Sequence, residues 1–383
     1  MHRLQIGIVA GEPSGDYLGA GLIDGLRAFD PDIEVTGIGG ARMTAAGCRN
    51  LFPMDKLSIM GLVEVIRHYR ELSGVRDRLT RFFLEDPPDV FIGIDAPDFN
   101  LELECRLRAH GIRTVHYVSP QVWAWREYRL RKITRAVDLM LVLFPFEEDY
   151  YRRRGIRVSH VGHPLAAQIP MRPNVEAARG RLGCPPSGTL IALLPGSRRL
   201  ELQRMAPPFL QTAAILHKQH PDLRFATSLL DDSAIGQMQE IRTSLALEDL
   251  PLTLVKGRAH DVLEAADLAL LTSGTVTLEC LLYKKPMVVA YRLHWLSFQV
   301  IRKLVNTRFV ALPNILAGEG LVPEFLQGDC RPDRLAEALR HWLTDTDAVN
   351  NLREKFSAMH SQLLPEEGNP AAIAVLKLLG MAP

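Results

Sequence analysis

The feature that most constrains the fold is an alternation: short apolar, β-branched runs each give way to a turn and then to a helix-length amphipathic stretch. In the first half the runs fall at 5–10, 34–38, 90–95, 114–118, 139–143 and 158–161, with helical patterning at 17–28, 63–83, 101–110 and 128–136. Short runs without a polar face suit strands buried on both sides, and the intervening helices supply the crossovers that parallel strands need. The pattern then repeats, with runs at 190–194, 224–227, 253–255, 268–271 and 287–291 and helices near 200–219, 233–246 and 275–282. A stretch rich in proline and glycine, 162–188, separates the two series and reads as a hinge. The expected fold is α/β, with two Rossmann-like domains and an interdomain cleft. The first domain takes 1–165, a hinge 166–188, the second domain 189–345, and C-terminal helices 346–383 pack back across the hinge. In such folds ligands gather outside the carboxyl ends of the strands.

Composition removes several classes. The 45 Lys and Arg nearly balance 44 Asp and Glu for a net charge of +1, which gives no global reason to expect a nucleic-acid partner. The greasiest run, 139–146, falls far short of the ~20 residues that span a bilayer. The N-terminus lacks a long apolar h-region, so no signal peptide is expected. Five scattered cysteines with no C-x-x-C pair suit small buried hydrophobes in a reducing compartment. The expectation is a soluble protein, attached at most to a membrane surface.

The strand ends carry the chemistry. Leu194-Pro195-Gly196-Ser197-Arg198 combines small residues, which let a ligand approach the backbone, with a planar donor fork suited to phosphate. At Thr272-Ser273-Gly274-Thr275 a buried strand passes at once into a helix, whose first N–H groups and dipole favour an anion. Glu279, one turn on, is an acceptor for ribose hydroxyls. Each segment is also what an ordinary capped connection looks like; two of them in one half favour a nucleotide site. A G-x-G-x-x-G fingerprint and a Walker sequence are both missing, which weakens dehydrogenase and P-loop readings.

In the first half, Gly11-Glu12-Pro13-Ser14-Gly15-Asp16 either holds a phosphate or caps the following helix. Asp95, ending the run 90–95, is the general-base candidate, whereas Asp98 is expected to cap the next helix. Trp123 and Trp125 mark either an acyl- or sugar-lining surface or a packed loop, and Met60 and Leu62 either core or a membrane-docking lip. Asp345 and Asp347 read as helix caps. Without a His/Cys ligand cluster, neither a metal nor another cofactor is expected.

Together these segments resemble the lipid-A-disaccharide synthase family, glycosyltransferases of GT-B architecture. The likeness runs in family order through Gly11–Asp16, Gly93-Ile94-Asp95-Ala96-Pro97-Asp98-Phe99-Asn100, Tyr117–Arg126, Leu194–Arg198, Ser273–Glu279 and Leu312-Pro313-Asn314. The resemblance implies inverting transfer of 2,3-diacylglucosamine from its UDP derivative to 2,3-diacylglucosamine 1-phosphate (lipid X), in lipid A and hence lipopolysaccharide biosynthesis. It implies Asp95, Arg198 and Asn314 as catalytic residues, and Gly196, Ser197, Arg198, Ser273, Gly274, Thr275 and Glu279 as the UDP site. Glu12, Ser14, Gly15 and Asp16 would seat the acceptor phosphate, and a homodimer with exchanged C-terminal parts is implied as well.

Competing readings are a UDP-sugar 2-epimerase of the same fold and a non-catalytic nucleotide-sugar-binding protein. The near-neutral total hides one local excess: residues 106–157 hold twelve Lys and Arg against five Asp and Glu. That basic segment either faces anionic substrates and the cytoplasmic side of the inner membrane or forms solvated helix faces.

Overall fold

The structure is a computed structural model that describes residues 3–54, 57, 62–123, 127–293 and 308–381, with side chains from residue 71 in the helix that begins at Leu62. Met60, Trp125 and the side chain of Leu62, all expected at an acyl-lining surface, lie outside the described residues. The chain divides into two compact units, one of residues 1–164 with 363–383 and one of residues 165–362.

The first unit is built on seven parallel strands: β1 (Gln5–Ala10), β2 (Glu34–Ile38), β3 (Cys48–Asn50), β4 (Val90–Ile94), β5 (Arg113–Tyr117), β6 (Leu139–Val142) and β7 (Val158–His160). Their spatial order is β3-β2-β1-β4-β5-β6-β7, so the winding reverses between β1 and β4. Alternation of side chains along each strand feeds two cores. Ile6, Ile8, Ile92 and Ile94 meet Leu18, Leu22 and Leu26 of the helix Pro13–Phe29 on one face. Val9 and Phe91 meet Val75, Leu79 and Phe83 on the other. The helix Pro370–Leu379 adds Ala372, Val375 and Leu376 to the first core, so the C-terminal return is part of this unit's packing.

The second unit repeats the plan with six parallel strands: β8 (Leu190–Leu194), β9 (Arg224–Leu229), β10 (Leu252–Lys256), β11 (Leu268–Leu271), β12 (Met287–Tyr291) and β13 (Glu324–Leu326). The order β10-β9-β8-β11-β12-β13 puts its reversal between β8 and β11. Helix Pro332–Thr344 covers one face, and the indole N–H of Trp342 donates to Met287 O at 3.1 Å.

Two expected boundaries are corrected. The stretch 166–188 is not a free hinge, because it carries the helix Val175–Leu182, capped by Asn174, whose Oδ1 accepts from Ala177 N at 3.0 Å. Buried Arg179 fastens that helix to the second unit through Ala265 O (3.1 Å) and the Asp267 carboxylate (2.8 Å). The C-terminal helices do not form one block either: Thr346–Leu363 falls almost wholly in the second unit and Pro370–Leu379 in the first.

Candidate functional site

In open α/β sheets the crevice where the winding reverses opens at the carboxyl ends of the strands. Each unit gathers expected site residues there.

In the first unit β1 and β4 are paired neighbours, with Ala10 opposite Ile94. The loops leaving them touch: a Cβ on Gly11 would come within 2.8 Å of the Ala96 Cβ. Pro13 opens the helix Pro13–Phe29, its fixed φ and missing N–H suited to that place, with half-buried Glu12 as N-cap. Ser14 is exposed and Gly15 buried on the first turn, whose N–H groups lack partners within the helix. Beside them stands Asp95, half-buried, with its main-chain N–H donating to Tyr117 O at 2.9 Å. Asp95 and Ala96 both adopt positive φ, 51° and 42°, a turn that lifts the residue out of the strand line.

Two expectations change in this unit, and Trp123 takes one of its two alternatives. Asp16 is buried, and its carboxylate accepts from the main-chain N–H groups of Gly40 (2.7 Å), Met43 (2.9 Å) and Arg42 (3.0 Å). It caps the short helix Ala41–Ala45 instead of holding an acceptor phosphate, which a bonded carboxylate would repel. Asp98 does not cap its helix, since Ala96 occupies that position; Asp98 lies exposed in the first turn, paired with Arg129. Trp123 is held within the fold: its ring packs edge-on against Phe146 at 4.9 Å between centroids, and its N–H donates to Glu147 Oε1 at 3.0 Å.

In the second unit β8 and β11 are paired, with Leu194 opposite Leu271, and a cavity of about 580 Å³ opens beyond them. Gly196, Ser197, Arg198, Ser273, Gly274, Thr275 and Glu279 all line it. Gly196 has φ +104°, and a Cβ there would meet the Glu201 side chain at 2.8 Å, so the turn needs glycine twice over. The Ser273 hydroxyl donates to Val310 O at 2.8 Å and pins the second loop. Gly274 precedes the helix Thr275–Leu282 as N-cap without a side-chain cap, so the helix start faces the cavity bare. Burial pushes the Glu279 carboxyl above its ordinary value, and His260 pulls it the other way.

The sequence reading overlooked His260, Glu201 and Tyr291, which line the same cavity. The Tyr291 hydroxyl donates to Glu201 Oε1 at 3.1 Å; burial, then Glu201, push its pKa up to about 12, so it stays a neutral donor. Glu201 lies three residues past the Leu194–Arg198 segment. His260 had no local signal, since it reaches the cavity from the helix after β10.

Asn314, expected among the catalytic residues, has every hydrogen-bonding position filled. Its amide donates to Glu324 Oε1 (2.7 Å) and Val322 O (2.9 Å), and its oxygen accepts from Leu321 N (2.8 Å) and Val322 N (2.9 Å). Buried at 1% exposure, it ties the helix Leu312–Ala317 to β13 through these bonds.

Among the described residues of 106–157, Arg106, Arg108, Arg129, Lys132, Arg152 and Arg154 are ion-paired. Among the described residues no group of three or more His, Cys, Asp or Glu is assembled as a metal site requires, and no helix is long and apolar enough to cross a membrane.

Comparison with known proteins separates the readings that share this geometry. A crystal structure of UDP-GlcNAc 2-epimerase from Neisseria meningitidis bound to UDP-GlcNAc aligns with a TM-score of 0.63, covering 99% of this chain and 100% of that one. At 12% identity that likeness shows the fold alone. Sequence is more specific. The lipid-A-disaccharide synthase of Azotobacter vinelandii is 50% identical over 376 residues, and that of Pseudomonas aeruginosa (strain UCBPP-PA14) 49% over 377, each covering 98% of both chains. A family model described as lipid-A-disaccharide synthetase matches residues 6–377. The chain therefore belongs to the lipid-A-disaccharide synthase family and is a glycosyltransferase.

Proposed function

We propose that the chain transfers 2,3-diacylglucosamine from its UDP derivative to the 6-hydroxyl of 2,3-diacylglucosamine 1-phosphate, with Asp95 as the base. The acceptor oxygen forms its bond to the anomeric carbon while its proton passes to the Asp95 carboxylate. The bond from that carbon to the diphosphate breaks on the opposite face and UDP leaves with the electron pair, so configuration inverts. Base catalysis of this kind is worth roughly 10²–10⁴ in rate. Arg198 and the bare helix start at Thr275 stabilise the charge on UDP, a duty that falls in other enzymes to a divalent ion. Glu279 accepts from the ribose hydroxyls, and Glu12, Ser14 and Gly15 receive the acceptor.

The observation that carries this reading is the gathering of seven residues from two strand–turn–helix segments on one cavity, Arg198 and the Ser273–Thr275 helix start among them. The acylated substrates and the basic segment 106–157 support action at the cytoplasmic face of the inner membrane, and the family resemblance supports a homodimer.

A mass-spectrometric assay with both acylated substrates tests the proposal. UDP and a disaccharide 1-phosphate should appear only when both are supplied, undiminished in EDTA. An isomerised sugar nucleotide formed without acceptor would overturn the transferase reading; activity lost in EDTA and restored by Mg²⁺ would overturn its metal-free part.

A further inference from the structure

Behind the Asp95 turn lies a cluster of buried polar groups that the proposed chemistry leaves unused. Asn100, on the helix Pro97–Ala109, is fully buried. Its amide nitrogen faces three main-chain oxygens: Asp95 at 2.9 Å, Ile94 at 3.2 Å and Val9 at 3.3 Å. One side chain thus joins the ends of β1 and β4 and grips the turn that carries Asp95. That turn needs a grip, because two successive non-glycine residues at positive φ persist only where their surroundings enforce it.

The sequence clears space for this arrangement. A Cβ on Gly93 would stand 2.8 Å from the Asn100 Cβ and 2.1 Å from Glu104 Oε1, so only glycine lets both side chains lie against β4. Glu104 in turn meets His116 Nδ1 at 2.7 Å, with both side chains wholly buried, and His116 stands opposite Gly93 on β5. Among the described residues, Asn100 Oδ1, Glu104 Oε2 and His116 Nε2 have no hydrogen-bond partner. This polar cluster packs against Gly93, two residues before Asp95 on the strand from which the Asp95 turn leaves.

We propose that Asn100 is a positioning residue for the transfer: it holds the left-handed Asp95–Ala96 backbone and thereby aims the Asp95 carboxylate, with Glu104 and His116 packed behind it. This inference rests on Asp95 being the base.

The test is a double-mutant cycle on the full chain comparing wild type, Asn100→Ala, Asp95→Asn and the double variant. Turnover is followed with radiolabelled donor at high enzyme concentration, and UDP affinity by calorimetry. Asn100→Ala should lower kcat about 10²-fold, as a displaced reacting group does. KM for both substrates and UDP affinity should stay within about twofold of wild type, and on the Asp95→Asn background removal of Asn100 should cost nothing further. Asn100→Ser, which keeps one donor, replaces the alanine variant in the same cycle if the latter does not fold. A kcat within about threefold of wild type, or the same loss repeated without the Asp95 carboxylate, would overturn the inference while leaving the base assignment standing. Normal turnover by Asp95→Asn would overturn the base assignment and the inference with it.

Discussion

The indole N–H of Trp123 donates to Glu147 Oε1 across 3.0 Å, fastening the loop after β5 to the helix Pro145–Arg152 after β6. The same carboxyl accepts from the Phe144 N–H at 3.2 Å and is wholly buried. Burial outweighs these bonds and the one from Ser119, and pushes the Glu147 pKa up to about 7 from an ordinary 4.5.

A pH dependence follows from that relationship. The folded-state value lies above the unfolded one, so the native chain binds this proton more tightly; the stabilisation is complete below about pH 4.5 and lost as pH rises through about 7. The shift corresponds to on the order of 3 kcal/mol. Glu147→Gln, a neutral isostere, should be more stable than wild type at pH 8 and equal to it near pH 5. Thermal unfolding of both across that range measures the gap, and a gap that does not change with pH would refute the assignment.

Glu279 lies partly buried on the cavity wall, where an acceptor for ribose is worth about 1.5–3 kcal/mol if ionised. Glu279→Ala should therefore weaken UDP binding and raise the donor KM roughly ten- to hundredfold, with kcat at saturating donor little changed. Because burial holds this carboxyl above its ordinary value, UDP affinity in the wild type and in the variant should depend differently on pH, the difference being this group's titration. Calorimetric titration at several pH values decides; unchanged UDP affinity in Glu279→Ala would remove the residue from the site.

Asn314 should behave as a structural residue. Asn314→Ala strips partners from Leu321 N, Val322 N and the Glu324 carboxylate, at an expected cost of roughly 2–4 kcal/mol. The melting temperature should drop while the folded fraction keeps kcat within about threefold. A hundredfold loss of kcat at unchanged melting temperature would return Asn314 to the catalytic set.

These corrections mark how far the sequence could be read. The runs at 190–194, 268–271 and 287–291 coincide with β8, β11 and β12, because a strand buried on both faces writes its burial into consecutive residues. The two loops that line the cavity were legible for a related reason, since each is a local strand–turn–helix junction. β3 and β13 escaped notice because each has three residues and no β-branched side chain. Asp16 was read too locally: its carboxylate bonds Gly40, Arg42 and Met43, 24, 26 and 27 residues away. The stretch 166–188 looked like a linker by composition; its docking shows in bonds to residues far along the chain, such as Arg179 to Ala265 and Asp267.

The central claim is that Asp95 takes the acceptor proton while the cavity beyond β8 and β11 holds UDP. Turnover and UDP affinity of Asp95→Asn, measured on one preparation, test it most directly. The account requires kcat to fall roughly 10²–10⁴-fold with UDP affinity unchanged; turnover within a few-fold of wild type would contradict it.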